Sequence, residues 1–375
     1  MLSPKKICFL SPTAYSLLKN RKDDIKNVIG PDIDQITLAS ELSKRGYKIT
    51  LITYNEGGPS EEFINGIKVI KTYSPEVQTN FFSKMRYLWK ALKKSDSDIY
   101  FHYGDSLGII PTFANLMGKK SVYKIASDVL VNRNLIINEI KEFKSSKFNS
   151  RVIGNWIDIK FSHAICLQNQ YQSEMLKKGY NKKGKIIKSH IKLKDPDPAK
   201  KSEFPIVLWV GSMAEVKQPW LVIEFAKMMP WVKFQMIGGY QGDPTLYNNI
   251  KKQAAKLKNF EFLGVVPFEE IDHYFNKAWI LVNTSMFEGF PNSFLQAWMN
   301  YMPVVSINAN PDDVITNYKL GFYSRNLKQL KEDLSTLLNN EDLITEMGIN
   351  GRKYVEDNHD IKNILPEYIK LFDSI

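Results

Sequence analysis

Asn283-Thr284-Ser285-Met286-Phe287-Glu288-Gly289-Phe290-Pro291-Asn292-Ser293-Phe294-Leu295-Gln296-Ala297-Trp298 is the stretch that decides the fold. The run before it, Ala278-Trp279-Ile280-Leu281-Val282, is apolar throughout and reads as a buried strand. Gly289 and Pro291 make the middle a turn. Asn292 or Ser293 is placed to cap a helix with Phe294, Leu295, Trp298 and Met299 on its apolar side. The unit is therefore strand, polar turn, helix, and the turn lies at the strand's C-terminal end. Open α/β sheets bind ligands at that end. A helix N-terminus there offers N–H groups and a partial positive charge to phosphate or sugar oxygens. The Glu288 carboxylate can accept hydrogen bonds from hydroxyls. The plain alternative is an ordinary connecting turn whose glutamate is only solvated.

The 375 residues are enough for two domains with full cores. The composition, 43% hydrophobic and 24% charged, is that of a globular protein. No apolar run reaches the roughly 18 residues that span a bilayer, and the N-terminus leads straight into a strand-like Ile7-Cys8-Phe9-Leu10-Ser11, so no signal peptide is expected. Cys8 and Cys166 both lie in apolar runs. They read as buried reduced thiols, and a cytoplasmic location is expected. Charge is uneven: residues 1–195 hold 33 Lys+Arg against 18 Asp+Glu, a balance of +15, and residues 196–375 hold 18 against 22, a balance of −4. A basic half implies an anionic neighbour, such as a membrane surface, a lipid phosphate or nucleic acid, or else charge that serves solubility alone.

Strands and helices alternate along the first half. Ile7 to Ser11 is strand one, a polar loop follows from Lys19 to Asn27, and a helix runs from about Gln35 to Arg45, with Gly46 as its stop. Lys48-Ile49-Thr50-Leu51-Ile52-Thr53 is strand two, which completes a doubly wound start. No Gly-x-Gly-x-x-Gly follows strand one, which argues against a dinucleotide cofactor. Residues 81–94 form a basic helix rich in aromatics, either a sheet-covering helix with a solvated lysine face or a membrane-surface helix. Asp96-Ser97-Asp98 precedes a strand and reads as a turn, with no acidic cluster beside it to complete a metal site. Ser127-Asp128 ends another strand, and Asp128 is a candidate for binding hydroxyls or for general base work, with a helix N-cap as the plain alternative. Lys192 to Ser202, with Pro196 and Pro198 among charges, reads as a linker. Ile206-Val207-Leu208-Trp209-Val210 then restarts the pattern.

Glu288-Gly289-Phe290-Pro291-Asn292, the Ala297-Trp298 helix and Pro303-Val304-Val305 resemble the signature loop of family 4 retaining glycosyltransferases, which have the GT-B fold. That signature is a glutamate, seven residues, then a second glutamate; Gln296 stands in the second place. Gly211-Ser212-Met213-Ala214-Glu215-Val216-Lys217 resembles the family's Gly-Arg-x-x-x-x-Lys loop, with Lys217 kept and Ser212 replacing the arginine. Gly30-Pro31 resembles the paired glycines of the first loop, although Pro31 has no N–H to donate. Tyr301 stands where the family usually has glycine.

The resemblance implies two Rossmann-like domains facing across a cleft: 1–195 with a last helix, 360–375, crossing back, and 196–359. It implies sugar transfer from a nucleotide-sugar donor to an acceptor hydroxyl with retention of configuration, for a surface glycan or a lipid-linked oligosaccharide, without cofactor, metal or nucleic acid. Lys217 and the N–H groups of Gly289, Phe290, Pro291's neighbours and Asn292 would hold the diphosphate. Gly30, Gly211 and Ser212 would line the donor, Glu288 would bind the sugar, Gln296 the ribose, and the backbone around Val266 the base. Peripheral contact with an anionic membrane, at its inner face, fits the basic first domain. Two alternatives stand beside this reading: a nucleotide-sugar 2-epimerase using His102, His163 or His190, and a non-catalytic GT-B protein, for which Pro31, Ser212, Gln296 and Tyr301 speak.

Overall fold

The computed structural model of the chain describes residues 5–19, 30–104, 106–132, 134–136, 148–196, 201–240 and 243–375. They fall into two α/β units. One contains the described residues up to Ser189 together with Ile361–Ile375, and the other contains His190–Asp360. The chain enters the second unit after Ser189, where the sequence had placed the boundary after residue 195. Lys194 and Asp195 belong to the second unit because Arg352 holds them. Its guanidinium donates to the Lys194 carbonyl at 2.6 Å and to the Asp195 carboxylate at 3.0 Å.

The first unit is built on β1 (Lys6–Leu10), β2 (Lys48–Thr53), β3 (Glu61–Ile64), β4 (Ile67–Lys71), β5 (Ile99–Tyr103), β6 (Lys120–Lys124), β7 (Ala164–Leu167) and β8 (Lys185–Ile186). They lie in the order β3-β4-β2-β1-β5-β6-β7-β8, parallel except for the β3 and β4 hairpin. Side chains of a strand alternate between faces, so Ile7 and Phe9 join Leu38, Leu42, Leu365 and Tyr368 in one core layer, while Cys8 joins Leu92, Ile110 and Phe113 in the other. Helix Ile361–Ser374 thus completes the first unit's core, as expected of a returning helix. Burial pushes the thiols of Cys8 and Cys166 up to about 12, so neither is a nucleophile.

The second unit has β9 (Ile206–Val210), β10 (Lys233–Ile237), β11 (Phe260–Gly264), β12 (Ile280–Asn283), β13 (Val304–Ser306) and β14 (Gly321–Tyr323), all parallel, in the order β11-β10-β9-β12-β13-β14. Val207 and Trp209 face one core layer with Phe225, Ile250 and Leu334; Leu208 and Leu281 face the other with Phe275, Phe294 and Trp298. Strand order reverses between β9 and β12. The chain leaves these two neighbours in opposite directions, which opens a crevice at their C-terminal ends.

Two backbone positions, one at each end of the parallel strands, shape the sheet. Gly238, after β10, lies so close to the end of β9 that a Cβ there would be 1.8 Å from the Gly211 carbonyl oxygen. Tyr301 takes the left-handed conformation, φ 54, that a glycine would take at no steric cost, and the Arg352 guanidinium lies 5.8 Å from its ring. The backbone shape expected of a glycine is kept, and tyrosine carries the strain.

Gly238→Ala must push β9 and β10 apart at their C-terminal ends. Overpacking of this kind costs about 1–3 kcal/mol, so the variant's melting temperature should fall by several degrees; an unchanged melting curve would contradict the close approach.

Candidate functional site

The loops that leave β9 and β12 are tied together before any side chain is considered. The Met286 N–H donates to the Val216 carbonyl at 2.8 Å. Thr284, fully buried, accepts from the Trp209 indole N–H at 3.0 Å and donates its hydroxyl to the Lys217 carbonyl at 2.7 Å. Asn283 stiffens the same turn: its side-chain oxygen accepts from the Ser285 N–H at 3.2 Å and from the Ser306 hydroxyl at 3.4 Å. Lys217 ends a single 3-10 turn, Glu215–Lys217, and Gln218 follows in the left-handed region, φ 48, which turns the chain into helix Trp220–Met228.

These ties bring Lys217 and Glu288 together. The ammonium nitrogen lies 2.5 Å from Oε1, with the two side chains 25% and 14% exposed. A pair this sheltered is screened less than one on the open surface. It places one cation and one carboxylate at the point where the strand order reverses. Of the residues singled out in the sequence, Gly211, Ser212, Lys217, Glu288, Gly289, Phe290, Pro291, Asn292 and Gln296 all follow the two strands at this point.

The helix after the loop differs from expectation in one respect. Pro291 occupies the N-cap position, φ −65 and ψ 126, without a side-chain cap, and Asn292 and Ser293 lie inside helix Asn292–Met299. Proline carries no side-chain oxygen to accept from the first turn, so Pro291 itself adds no side-chain cap. Phe290 is an anchor, its ring 4.6 Å from that of His359 and 6.3 Å from that of Trp298. Asn292 and Gln296, four residues apart, share a helix face, and Gln296 is partly exposed. Val266 follows β11, two strands beyond β9, and packs partly buried against the core.

The first-unit residues sit differently. Gly30 and Pro31 begin helix Gly30–Lys44 and are no loop. Proline's fixed φ suits a first turn, so the pair starts a helix where the sequence had read a loop. The residues of the preceding polar stretch, from 20 to 29, lie outside the described ones. Near them is a buried group that the sequence did not announce. Asp32, at the start of that helix, accepts from the hydroxyls of Ser11, at 2.5 Å, and of Thr13. Asp34 lies 3.5 Å from the buried ammonium of Lys124, whose pKa burial lowers and Asp34 raises. Asp128 is the first residue of a 3-10 turn capped by Ser127, and its Oδ1 accepts from Asn169 and Gln172, each at 3.0 Å.

Histidine chemistry finds little support here. His102 is buried, stacked on Tyr123 at 4.7 Å and 3.4 Å from the Asp158 carboxylate, which accepts from the Ser106 and Gly108 N–H groups. His163 precedes β7 at the opposite end of the sheet from the strand C-termini, and burial, then Lys120 and Lys182, lower its pKa. His190 is buried. Asp96 ends helix Phe81–Ser95 and pairs with Lys6 at 2.7 Å, while Lys119 lies 3.7 Å from Asp98. Among the described residues there is no group of three or more His, Cys, Asp or Glu arranged to hold a metal.

Comparison with known proteins bears on what this arrangement does. A family model described as glycosyl transferases group 1 matches residues 191–354, and one described as glycosyl transferase 4-like matches 6–153. The chain is 25% identical over 335 residues to a poly(ribitol-phosphate) α-N-acetylglucosaminyltransferase of Staphylococcus aureus, covering 83% of this chain and 63% of that protein. It is 30% identical over 152 residues to an uncharacterized glycosyltransferase of Methanocaldococcus jannaschii, covering 39% and 42%. The chain thus spans less than two thirds of either relative's length. Among solved structures, a sucrose-phosphate synthase of Thermosynechococcus elongatus superposes with a TM-score of 0.80 at 15% identity, over 99% of this chain and 98% of that one. Anabaena HepE in complex with UDP-glucose gives 0.77 at 13%, over 99% and 100%. These likenesses are of fold: GT-B, with two Rossmann-like domains.

Thr284→Val keeps the shape and removes the hydroxyl, leaving the buried Trp209 N–H and the part-buried Lys217 carbonyl without that partner. The loss should be about 1–3 kcal/mol, read as a lower unfolding midpoint in urea with an unchanged slope; an unchanged midpoint would show that the hydroxyl does not tie the loops.

Proposed function

The chain belongs to the group 1, family 4-like glycosyltransferases, and from that membership we propose that it transfers a sugar from a nucleotide-sugar donor to an acceptor hydroxyl with retention of configuration. The observation that carries the proposal is the sheltered pair of Lys217 and Glu288 where the strand order reverses. Lys217 takes up the charge that develops on the departing diphosphate, together with the N-terminus of helix Asn292–Met299. Glu288 accepts hydrogen bonds from the transferred sugar's hydroxyls, and Gln296 meets the ribose through its amide. The bond from the anomeric carbon to the phosphate oxygen breaks, the bond to the acceptor oxygen forms on the same face, and the acceptor's proton passes to the leaving phosphate. No metal is required, because Lys217 and the N–H groups supply the positive charge. The α-linkage in the staphylococcal relative's name supports retention from an α-linked donor. Asp128 is the first unit's candidate for contacting the acceptor, oriented by Asn169 and Gln172.

The acceptor we propose is anionic or lipid-linked, a surface glycan or its membrane-borne precursor. The balance of +15 in residues 1–195 supports it. Among the described residues no helix is long and apolar enough to cross a membrane; the bilayer contact we propose is peripheral and at the cytoplasmic face. Helix Phe81–Ser95 fits that contact: Phe81 and Phe82 are 61% and 83% exposed beside Lys84, Arg86 and Lys90. An apolar edge with basic neighbours favours an anionic interface.

Two measurements test this. In a thermal-shift screen against UDP-, GDP-, ADP- and CMP-linked sugars, with and without EDTA, one donor near 100 times its dissociation constant should stabilise the fold by about 2.7 kcal/mol. Lys217→Ala and Glu288→Ala should each abolish turnover of that donor, and binding without turnover for any acceptor would instead favour a non-catalytic protein. In co-sedimentation, the chain should pellet with vesicles containing phosphatidylglycerol and not with neutral ones, and Phe81→Ser with Phe82→Ser should release it at least severalfold; equal pelleting of variant and parent would remove the helix from the contact.

A further inference from the structure

The loop between β12 and helix Asn292–Met299 is held at two places. Its front is tied to the loop after β9 through Thr284 and Met286, and that tie carries Lys217. Its rear is held by rings. Phe290, 7% exposed, lies 4.6 Å from His359 at 41° and 6.3 Å from Trp298 at 73°. His359 lies 5.3 Å from Tyr354, and Tyr354 lies 5.6 Å from Trp298. The four rings close a circuit. Aromatic rings at such separations and tilts favour one another beyond the area they bury, so the Phe290 ring has a defined seat.

His359 is the member of this circuit that rests on the firmest support. It is fully buried, ends helix Glu341–His359, and is next to the last residue of the second unit. Its carbonyl accepts from the Ile191 N–H at 2.8 Å, and Ile191 is bridged to Asp360. Its Nε2 lies 3.4 Å from the Tyr354 hydroxyl. Its helix is pressed against helix Asn292–Met299: a Cβ on Gly351 would be 2.8 Å from Trp298 Cδ1. What packs on this support is Phe290, which follows Glu288 and Gly289 directly in the chain. Peptide links are stiff, so a displaced Phe290 takes Gly289 and Glu288 with it. The helix that follows is held independently, by Phe294, Leu295 and Trp298 in the core.

We propose that His359 is a positioning residue for the sugar-binding side of the site: through Phe290 it fixes Gly289 and Glu288, while the front tie fixes Lys217. Its effect on turnover rests on the donor reading given above; its hold on the loop does not. The two ties divide the work, so loosening the rear one spares the cation that meets the diphosphate and misplaces the carboxylate that meets the sugar.

Two readouts test this with the full chain carrying His359→Ala, His359→Phe, Phe290→Ala or both alanines, each kept well below its melting midpoint. The first needs no ligand. In hydrogen exchange followed by mass spectrometry, His359→Ala should speed exchange in residues 286–292 about tenfold and leave residues 212–217 at the parent's rate, and His359→Phe should return 286–292 to within about threefold of the parent. The second is hydrolysis of UDP-glucose, UDP-N-acetylglucosamine, GDP-mannose and ADP-glucose, read as the nucleoside diphosphate released. For the donor that the parent turns over, His359→Ala should lower kcat about 10- to 100-fold, with the affinity for the nucleoside diphosphate alone kept within about threefold by titration calorimetry. His359→Phe should recover most of that loss. The double variant should cost no more than the worse single change, because both act through one contact. Unchanged exchange in 286–292 with His359→Ala overturns the proposal whatever the activity, and faster exchange with unchanged kcat overturns the positioning role. A parent that turns over none of these donors overturns the donor reading, and the exchange result alone then decides whether His359 holds the loop.

Discussion

One hydroxyl ties the second unit's site together. Thr284 takes the Trp209 indole proton on one side and gives its own to the Lys217 carbonyl on the other, and so fixes the loop after β12 to the loop after β9. It acts beside the bond from the Met286 N–H to the Val216 carbonyl, which joins the same two loops. With it, the ammonium is delivered to Glu288 at 2.5 Å. Part of the cost of ordering the lysine is met by hydrogen bonds lying behind the site.

Much of this was legible in the sequence, for physical reasons that differ from one element to the next. β12 showed itself as a continuous apolar run because a parallel strand buried on both faces leaves no alternation. The helix after it showed a 3.6-residue apolar period through Phe294, Leu295 and Trp298. Lys217 and Glu288 were found by spacing within a motif. The returning helix Ile361–Ser374 was expected from the family resemblance.

The features that escaped the sequence were of two kinds. Contacts between distant residues carry no local signature: Trp209 and Thr284 are 75 positions apart, and neither stands out in its own segment. Ser11, Thr13 and Asp32 are hidden in the same way. Local chemistry, in turn, was ambiguous where proline was involved. Pro31 read as a loop residue and proved to lie in the first turn of a helix, and Pro291 took the cap position that Asn292 or Ser293 could have filled. In both cases a fixed φ near −65° is compatible with turn and helix start alike, and only the packing of the next turn of chain decides.

The pairing of Lys217 with Glu288 also bears on discrimination. Because the cation carries its own counterion, the charges of the pair cancel, and free phosphate or other simple anions are drawn to it less than to a bare lysine. An anion that offers nothing to the carboxylate must break the pair and leave a sheltered negative charge uncompensated. A ligand that brings negative charge and hydroxyls together satisfies both groups at once. With the donor site as proposed, the pair would select against the abundant small anions of a cell, and raising the ionic strength should blunt that selection as well as the affinity.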